Sequence, residues 1–155
     1  MNPVVIEHIS ERQELLPTLQ SWLEAEWTAH YGPGGQGNAQ RDLLAYSNRR
    51  GVPLGLVAFR HGKPCGFIAL KGEPFPSHPH LAPWVGAGYV EPSLRNQGIG
   101  RELLLAVEEE ARTLGYAHIY CATSASFSLL ERGGWHLIDR VQHESQQASV
   151  YGKAL

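Results

Sequence analysis

The sequence has 155 residues, which is enough for one domain with a substantial buried core. Its formal net charge of -2 and the lack of any block of basic residues give no reason to expect a nucleic-acid-binding protein. Because no signal peptide opens the sequence and no apolar run approaches membrane-spanning length, we expect a cytoplasmic protein without membrane contact.

The N-terminal part of the chain predicts one strand followed by a helix. Residues 4–9 are rich in β-branched side chains and predict the strand. Ser10 and Gln13 have the spacing of a capping box, which starts a helical turn. Proline is tolerated in the first turn of a helix, so the main helix is predicted to begin near Pro17 and to end before Gly32.

A glycine-rich segment, residues 32–37, predicts a flexible connection that could admit or cover a ligand, although a plain loop would have the same composition. Asn38 can cap a second helix, which is predicted to continue through Arg50 and to stop at Gly51. Three apolar side chains of this helix are predicted to face the core: Leu43, Leu44 and Tyr46.

Three strands are predicted in the middle of the chain. Residues 54–59 and 65–70 form an apolar hairpin around a glycine-containing turn at residues 61–63. A loop rich in proline and histidine, residues 72–83, then leads into a central strand at residues 84–90.

A basic, glycine-bearing loop joins the central strand to a long predicted helix. The helix start leaves backbone N–H groups without intrahelical partners, and the summed peptide dipoles give it positive potential. Gly98 and Gly100 let an anion approach the backbone closely, while Arg95 and Arg101 add full positive charges. The loop therefore suits a diphosphate. The helix is predicted to run from Gly100 to Gly115 with an apolar face at 3.6-residue spacing: Leu104, Val107, Ala111 and Leu114.

The C-terminal part predicts a strand at residues 117–122, a short helix that starts among serines 124–128, and a closing pair of strands at residues 135–141 and 149–152. A parallel pair of strands needs a crossover, and the long helix supplies one. The order of elements predicts an α+β domain with a mixed sheet, without an internal repeat or a second domain.

The segment Arg95-Asn96-Gln97-Gly98-Ile99-Gly100 resembles the (Gln/Arg)-x-x-Gly-x-(Gly/Ala) motif of the GNAT N-acetyltransferases. Residues 84–90 resemble their splayed central strand, and residues 128–135 are similar to their late helix, which ends in Tyr-Glu-x-x-Gly-(Phe/Trp). Without this context the two glycines could simply shape a strand-to-helix turn. The resemblance implies one GNAT-like domain over residues 1–155. Its mixed, mostly antiparallel sheet would have six to seven strands, flanked by helices, with parallel central strands splayed to form a cofactor cleft.

The resemblance also implies an activity, namely transfer of an acetyl group from acetyl-CoA to a primary amine of a small molecule, peptide or protein by direct attack. The diphosphate of acetyl-CoA would lie on the loop amides, and its pantetheine arm would pair with the edge of the central strand. The residues implied in cofactor binding are Tyr89, Val90, Arg95, Asn96, Gln97, Gly98, Ile99, Gly100 and Arg101. No metal is expected, because the histidines and the two cysteines form no cluster with ligand spacing.

The catalytic residues are less clearly marked than the cofactor site. The central strand lacks the carboxylate that serves many GNAT enzymes as a base, so the candidate bases are Glu73, His78 and His80 in the preceding loop. Leu130 stands where many members have a tyrosine that protonates the leaving thiolate, and Tyr120 is a candidate substitute. Each of these side chains could equally be an ordinary loop or packing residue.

Two other functions are compatible with the same residues. A non-catalytic acyl-CoA-binding or sensor domain would keep the cofactor loop and lack the acid and base. A plain interaction module would have no cofactor. No P-loop pattern occurs, and Gly86-Ala87-Gly88 lacks the third glycine of a dinucleotide fingerprint. Exposed strand edges are compatible with a homodimer. The isolated cysteines Cys65 and Cys121 are expected to be reduced and packed as small apolar groups.

Overall fold

The structure is a computed structural model that describes residues 3–155. A seven-stranded sheet with helices on both faces forms the domain. Its elements in chain order are β1 (Val5–His8), α1 (Leu16–Glu26), α2 (Thr28–Tyr31), α3 (Ala39–Tyr46), β2 (Leu54–Arg60), β3 (Lys63–Lys71), β4 (Trp84–Val90), α4 (Ile99–Thr113), β5 (His118–Thr123), α5 (Phe127–Arg132), β6 (His136–His143) and β7 (Gln146–Ala154). Three short 3-10 turns lie at Ile9–Glu11, Gln13–Leu15 and Pro92–Leu94.

The strand order is β1-β2-β3-β4-β5-β7-β6. Every neighbouring pair is antiparallel except β4 and β5, which are parallel and are connected through α4. The predicted α+β domain with a mixed sheet is therefore confirmed, and so are the parallel central strands that the family resemblance implies.

The sheet has a buried core on each face, and its central strands contribute to both. On one face the core lies under α4 and α5, and it includes Val85, Leu103, Val107, Ala111, Ile119 and Leu130. On the other face it lies under α1 and α3, and it includes Leu19, Leu23, Leu43, Tyr46, Phe67 and Tyr89. Residues four apart in a regular strand point to the same face, but the irregularity in β4 around Ala87, where φ is 52° and the register with β3 shifts, reverses the alternation. β4 therefore places Val85 under α4 and Tyr89 under α1.

The first helical region is broken where the sequence predicted one helix. α1 ends at Glu26 because Trp27 leaves the helical region, with φ −118° and ψ 58°, and the single turn α2 follows. Asn38 caps α3 as predicted, since its side chain accepts a hydrogen bond from the Arg41 N–H.

α3 ends at Tyr46, four residues before the predicted end at Arg50. The Asn48 side chain offers the backbone an alternative to helix, because its carbonyl oxygen accepts from the Arg50 N–H at 3.1 Å and its amide donates to the Gly51 carbonyl. The prediction that Leu44 faces the core was wrong, since this side chain is 55% exposed.

α4 follows its predicted period, with Leu104, Val107 and Ala111 buried. Leu114 was predicted to share this face but is 40% exposed, because the helix ends at Thr113 and Leu114 is its C-cap. Gly115 follows with φ 92°, so a glycine ends the helix as predicted.

The parallel strands separate soon after they meet. β4 and β5 are in register only at Trp84–Tyr120 and Val85–Cys121. Beyond these pairs the register of β4 with β3 shifts, and Ala87 adopts a left-handed φ of 52°. The rest of β4, Gly86–Val90, has no strand partner on the side of β5 within residues 3–155. We call this segment the open edge of β4.

The remaining expectations concern the cysteines and the surface. Cys65 and Cys121 are both free and lie in strands, where they pack against the core under α4. Burial raises the pKa of both thiols, that of Cys121 to about 12. No helix within residues 3–155 is long and apolar enough to cross a membrane.

Candidate functional site

The loop after β4 continues into the first turn of α4, and this segment, residues 95–101, presents a row of unpaired backbone amides. We call it the anion loop. Asn96 and Gly98 have left-handed φ values of 63° and 90°, which turn the chain sharply before α4. The first helical hydrogen bond joins the Glu102 N–H to the Gly98 carbonyl at 3.1 Å. No acceptor among residues 3–155 engages the five amides from Gln97 to Arg101, so they are free to bind an anion at a helix N-terminus.

The two glycines of the anion loop have different roles. No atom within 4 Å would meet a Cβ at Gly98, so its left-handed backbone, rather than a lack of space, explains the glycine. A Cβ at Gly100 would lie 3.5 Å from Leu129 Cδ2 and 3.9 Å from Val90 Cγ2, both ordinary contacts. The motif accepts alanine at this second position, and the geometry agrees. Leu129 of α5 thus faces the anion loop, which the sequence did not reveal.

The open edge of β4 exposes the backbone of Val90 rather than that of Tyr89. The Glu91 N–H donates to the Cys65 carbonyl of β3 at 2.9 Å. Successive strand residues point their backbone groups to opposite sides of the strand. The backbone of Tyr89 therefore faces β3, where its register partner is Phe67, and does not enter the gap. The backbone of Val90 faces the gap beside β5. The Val90 carbonyl accepts a hydrogen bond from Arg95 Nε at 2.8 Å. The predicted strand edge is therefore present, with this acceptor held by an arginine of the loop.

Arg60, at the end of β2, also contacts the anion loop. Its Nη1 donates to the Gln97 side-chain oxygen at 2.7 Å. Its Nε is buried and has no hydrogen-bond partner among residues 3–155. The sequence around Arg60 has no pattern that indicates a binding role. The residue lies beside the anion loop only because of the β2–β3 hairpin, and its partner Gln97 is 37 residues away in the chain.

Two of the candidate catalytic residues meet at the base of the β4–β5 opening. The rings of Tyr120 and Trp84 lie 5.6 Å apart, and that of His78 lies 6.3 Å from Trp84. His78 is held on both sides, with Nε2 3.3 Å from Asp139 Oδ2 and Nδ1 2.7 Å from Ser77 Oγ. No hydrogen bond to the Tyr120 hydroxyl occurs among the described residues. We call Tyr120, Trp84 and His78 the aromatic floor.

The other two candidates lie outside the aromatic floor. Glu73 and His80 are exposed in the loop before β4. Burial raises the pKa of Tyr46, and the charges of Asp42 and Glu73 raise it further. No hydrogen bond or ion pair of His80 occurs in the described part of the chain.

The sequence model of the acetyltransferase (GNAT) family matches residues 16–129 of this chain. The chain belongs to the GNAT acetyltransferase family. The resemblance seen at the anion loop is therefore confirmed, and the match extends back through β4, β3 and β2 to α1. No curated protein matches the sequence closely enough to count as a relative.

Solved GNAT structures share this fold over nearly the whole chain. Aminoglycoside 6'-acetyltransferase type Ii has a TM-score of 0.77 at 18% identity, with 97% of this chain and 96% of that chain covered. An aminoglycoside 6'-N-acetyltransferase complexed with coenzyme A has a TM-score of 0.75 at 16% identity, with the same coverage of 97% and 96%. The ribosomal-protein-alanine N-acetyltransferase from Brucella melitensis has a TM-score of 0.75 at 22% identity, with 97% and 99% covered.

Two GNAT features expected near the reacting atoms are not present in this chain. β4, Trp84–Val90, has no carboxylate along its length. Leu130, at the position of the usual tyrosine, is 2% exposed and belongs to the core under α4. No group of three or more His, Cys, Asp or Glu side chains within residues 3–155 could hold a metal ion.

Proposed function

We propose that this protein is an acetyl-CoA-dependent N-acetyltransferase acting on a primary amine of a small molecule, peptide or protein. The observation that carries the proposal is the run of five unpaired amides, Gln97 to Arg101, beside the open edge of β4. A phosphate group needs donors that no protein acceptor occupies, and a helix N-terminus supplies them together with favourable potential. Membership of the GNAT family supports the same assignment.

The fit of the donor rests on the residues of the anion loop and of the adjoining strand. We propose that the amides of the loop bind the diphosphate, with Arg95 and Arg101 adding charge. The backbone of Val90 would pair with the amide-rich pantetheine arm. Tyr89 would contribute to donor binding through its ring, which contacts the Arg95 guanidinium. The proposed donor-binding residues are Tyr89, Val90, Arg95, Asn96, Gln97, Gly98, Ile99, Gly100 and Arg101.

Acetyl-CoA supplies an acetyl thioester whose carbonyl carbon an amine can attack directly. The amine must first lose a proton, and we propose that His78 accepts it at Nδ1 by way of the Ser77 hydroxyl, 2.7 Å away: Ser77 Oγ takes the amine proton as it gives its own to Nδ1. Asp139, 3.3 Å from Nε2, holds the ring in this orientation. Glu73 and His80 stay alternative bases. We propose that the hydroxyl of Tyr120, on the same aromatic floor, donates a proton to the departing thiolate of CoA.

The acceptor is proposed to enter between the glycine-rich loop and the β6–β7 turn. A pocket of about 250 Å³ lies there, and we call it the acceptor pocket. The two sides of the pocket are joined by a contact of 2.8 Å between His30 Nδ1 and Glu144 Oε1. The Glu144 carboxylate suits an ammonium group. The names of the similar structures, which mention aminoglycosides and a ribosomal-protein alanine, support both small-molecule and protein amines as acceptors. The lining residues are Ala29, His30, Gly34, Gly35, Gln36, Glu144 and Ser145.

Thiol release from acetyl-CoA with a panel of primary amines tests the proposal. We expect release only when both acetyl-CoA and an accepted amine are present, and we expect His78→Gln to lower kcat and shift its pH profile, because the proton acceptor is lost. A panel of aminoglycosides, polyamines and peptides with free N-termini covers the acceptor classes. If CoA binds but no amine is acetylated, the activity proposed here is wrong.

A non-catalytic acyl-CoA-binding domain is the second candidate function. The buried Leu130 and the lack of a carboxylate on β4 favour it, since both change the residues expected nearest the reacting atoms. Tight CoA binding by calorimetry, with no thiol release from acetyl-CoA, would support this function over the first.

Arg60→Met is expected to weaken CoA binding by about 1 kcal/mol, or roughly five-fold. The substitution removes a positive charge beside the anion loop and releases the Gln97 side chain. Calorimetric titration with CoA measures the change. Lys63→Met is the matched control, because Lys63 lies opposite Arg60 in the β2–β3 hairpin and is exposed. Equal affinities of the two variants would contradict a specific role for Arg60.

A further inference from the structure

We propose that Glu26 of α1 is a positioning residue that holds Arg95 on the Val90 carbonyl and thereby lowers the affinity for the acetyl donor. This inference rests on the proposed function. It concerns a side chain outside the GNAT motif, on the helix that faces the opposite side of the sheet from α4.

Arg95 is held by three protein groups at once. Its Nε donates to the Val90 carbonyl at 2.8 Å, and its Nη2 lies 3.4 Å from Glu26 Oε1. Its guanidinium carbon lies 5.5 Å from the centre of the Tyr89 ring. The Tyr89 ring in turn stacks on Trp22 of α1 with a centroid distance of 4.9 Å. The arginine therefore joins the end of β4 to α1.

Arg95 occupies an acceptor that the proposed donor also needs, the carbonyl oxygen of Val90. The Val90 carbonyl faces the gap beside β5, and it is the acceptor that an added amide-rich arm would use. A guanidinium already bound there must leave before the arm can pair with the strand. A ligand shifts such an equilibrium only by the difference in its affinity for the two states.

Glu26 biases this equilibrium toward the held position of Arg95. Its carboxylate contacts Arg95 only while the arginine lies over Tyr89 and Val90. When the arginine moves to an anion on the loop, the contact with Glu26 is lost. The two side chains are 40% and 37% exposed, so the ion pair is weak and its loss is small.

The inference predicts that Glu26→Gln tightens the binding of CoA by about two- to five-fold. The same gain is expected for pantetheine, which has no charge but must also displace Arg95 from Val90. A change in the electrostatic potential around the site would raise the affinity for CoA, which is charged, but not the affinity for pantetheine. Pantetheine thus separates release of Arg95 from simple electrostatics.

The experiment compares three proteins: the unaltered chain, Glu26→Gln and Glu24→Gln. Glu24 is the matched control because it lies on the same helix and its carboxylate accepts from Gln20 at 3.2 Å rather than from Arg95. CoA affinity is measured by calorimetry, and pantetheine affinity by titrating the backbone amide NMR signals of the open edge of β4. We expect both ligands to bind more tightly to Glu26→Gln, with pantetheine unchanged in Glu24→Gln.

Each contrary result has a distinct meaning. If Glu24→Gln gains as much CoA affinity as Glu26→Gln, or if Glu26→Gln gains affinity for CoA but none for pantetheine, the effect is one of charge alone and the inference fails. If the unaltered protein binds CoA and Glu26→Gln binds it no more tightly, the inference fails while the proposed function stands. If the unaltered protein does not bind CoA, both fail.

Discussion

Gly98→Glu is expected to lower CoA affinity by roughly 1,000-fold, since a carboxylate about 4 Å from one phosphate charge costs about 4 kcal/mol at an effective dielectric constant of 20. The new side chain would lie beside the free amides of the anion loop and would satisfy them with its own negative charge. No atom within 4 Å of the Cβ position prevents it from fitting. The left-handed backbone, with φ 90°, adds strain of about 1–2 kcal/mol for a residue with a Cβ. Calorimetry with CoA measures the loss.

Gly100→Ala is the matched control for this substitution. Its Cβ would make ordinary contacts of 3.5 Å with Leu129 and 3.9 Å with Val90, and φ at this position is not left-handed. We expect its CoA affinity to stay within about three-fold of the unaltered protein, since a substitution away from strain and charge changes little free energy. A Gly98→Glu protein that is folded by circular dichroism and still binds CoA normally would refute the anion loop as the donor site.

Lys153→Met is expected to lower the free energy of unfolding by about 3 kcal/mol, because it leaves a buried carboxylate without its cation. Glu108 of α4 is 2% exposed. Its Oε1 lies 2.7 Å from Lys153 Nζ, and its Oε2 accepts from Trp135 Nε1 at 3.1 Å. The same ammonium donates to the Gly133 carbonyl at 2.8 Å, which ties the end of α5 to α4 and β7. Urea denaturation followed by tryptophan fluorescence measures the loss.

Two further variants separate charge from packing at this pair. Lys153→Met combined with Glu108→Gln is expected to recover at least half of the lost stability, because a neutral amide can still accept from Trp135. Glu109 lies next to Glu108 but is exposed, and its ion-pair partner among residues 3–155 is Arg112 at the surface. Glu109→Gln should therefore change stability by less than about 0.5 kcal/mol. If Lys153→Met were as stable as Glu109→Gln, the buried ion pair would not contribute to holding α5.

Local patterns in the sequence predicted the elements that position the proposed donor site. The spacing of Leu104, Val107 and Ala111, the glycine after α4 and the glycines of the anion loop all act within a few residues, so their effect can be read along the chain. The predictions for Leu44 and Leu114 failed at the ends of helices, where one or two residues decide whether a side chain still lies on the buried face.

The contacts that surround the proposed donor site could not be predicted from the sequence, because they join segments far apart in the chain. Arg60 reaches Gln97 across 37 residues, and Arg95 reaches Glu26 across 69. Asp139 meets His78 only because β6 folds back beside the loop that precedes β4. Arg95 and Gln97 lie in the motif, but their partners Glu26 and Arg60, like Asp139, have no local pattern that distinguishes them from ordinary surface residues.

The proposed donor and acceptor sides of the protein are built from different kinds of structure. The anion loop and the open edge of β4 lie between two buried cores. The acceptor pocket is lined by a single-turn helix, a glycine-rich loop and a hairpin turn, joined through His30 and Glu144. These surface segments lie outside the sheet and α4. Under the proposed function, descendants of this chain can therefore acquire new amine preferences while they inherit the same proposed way of holding the acetyl carrier.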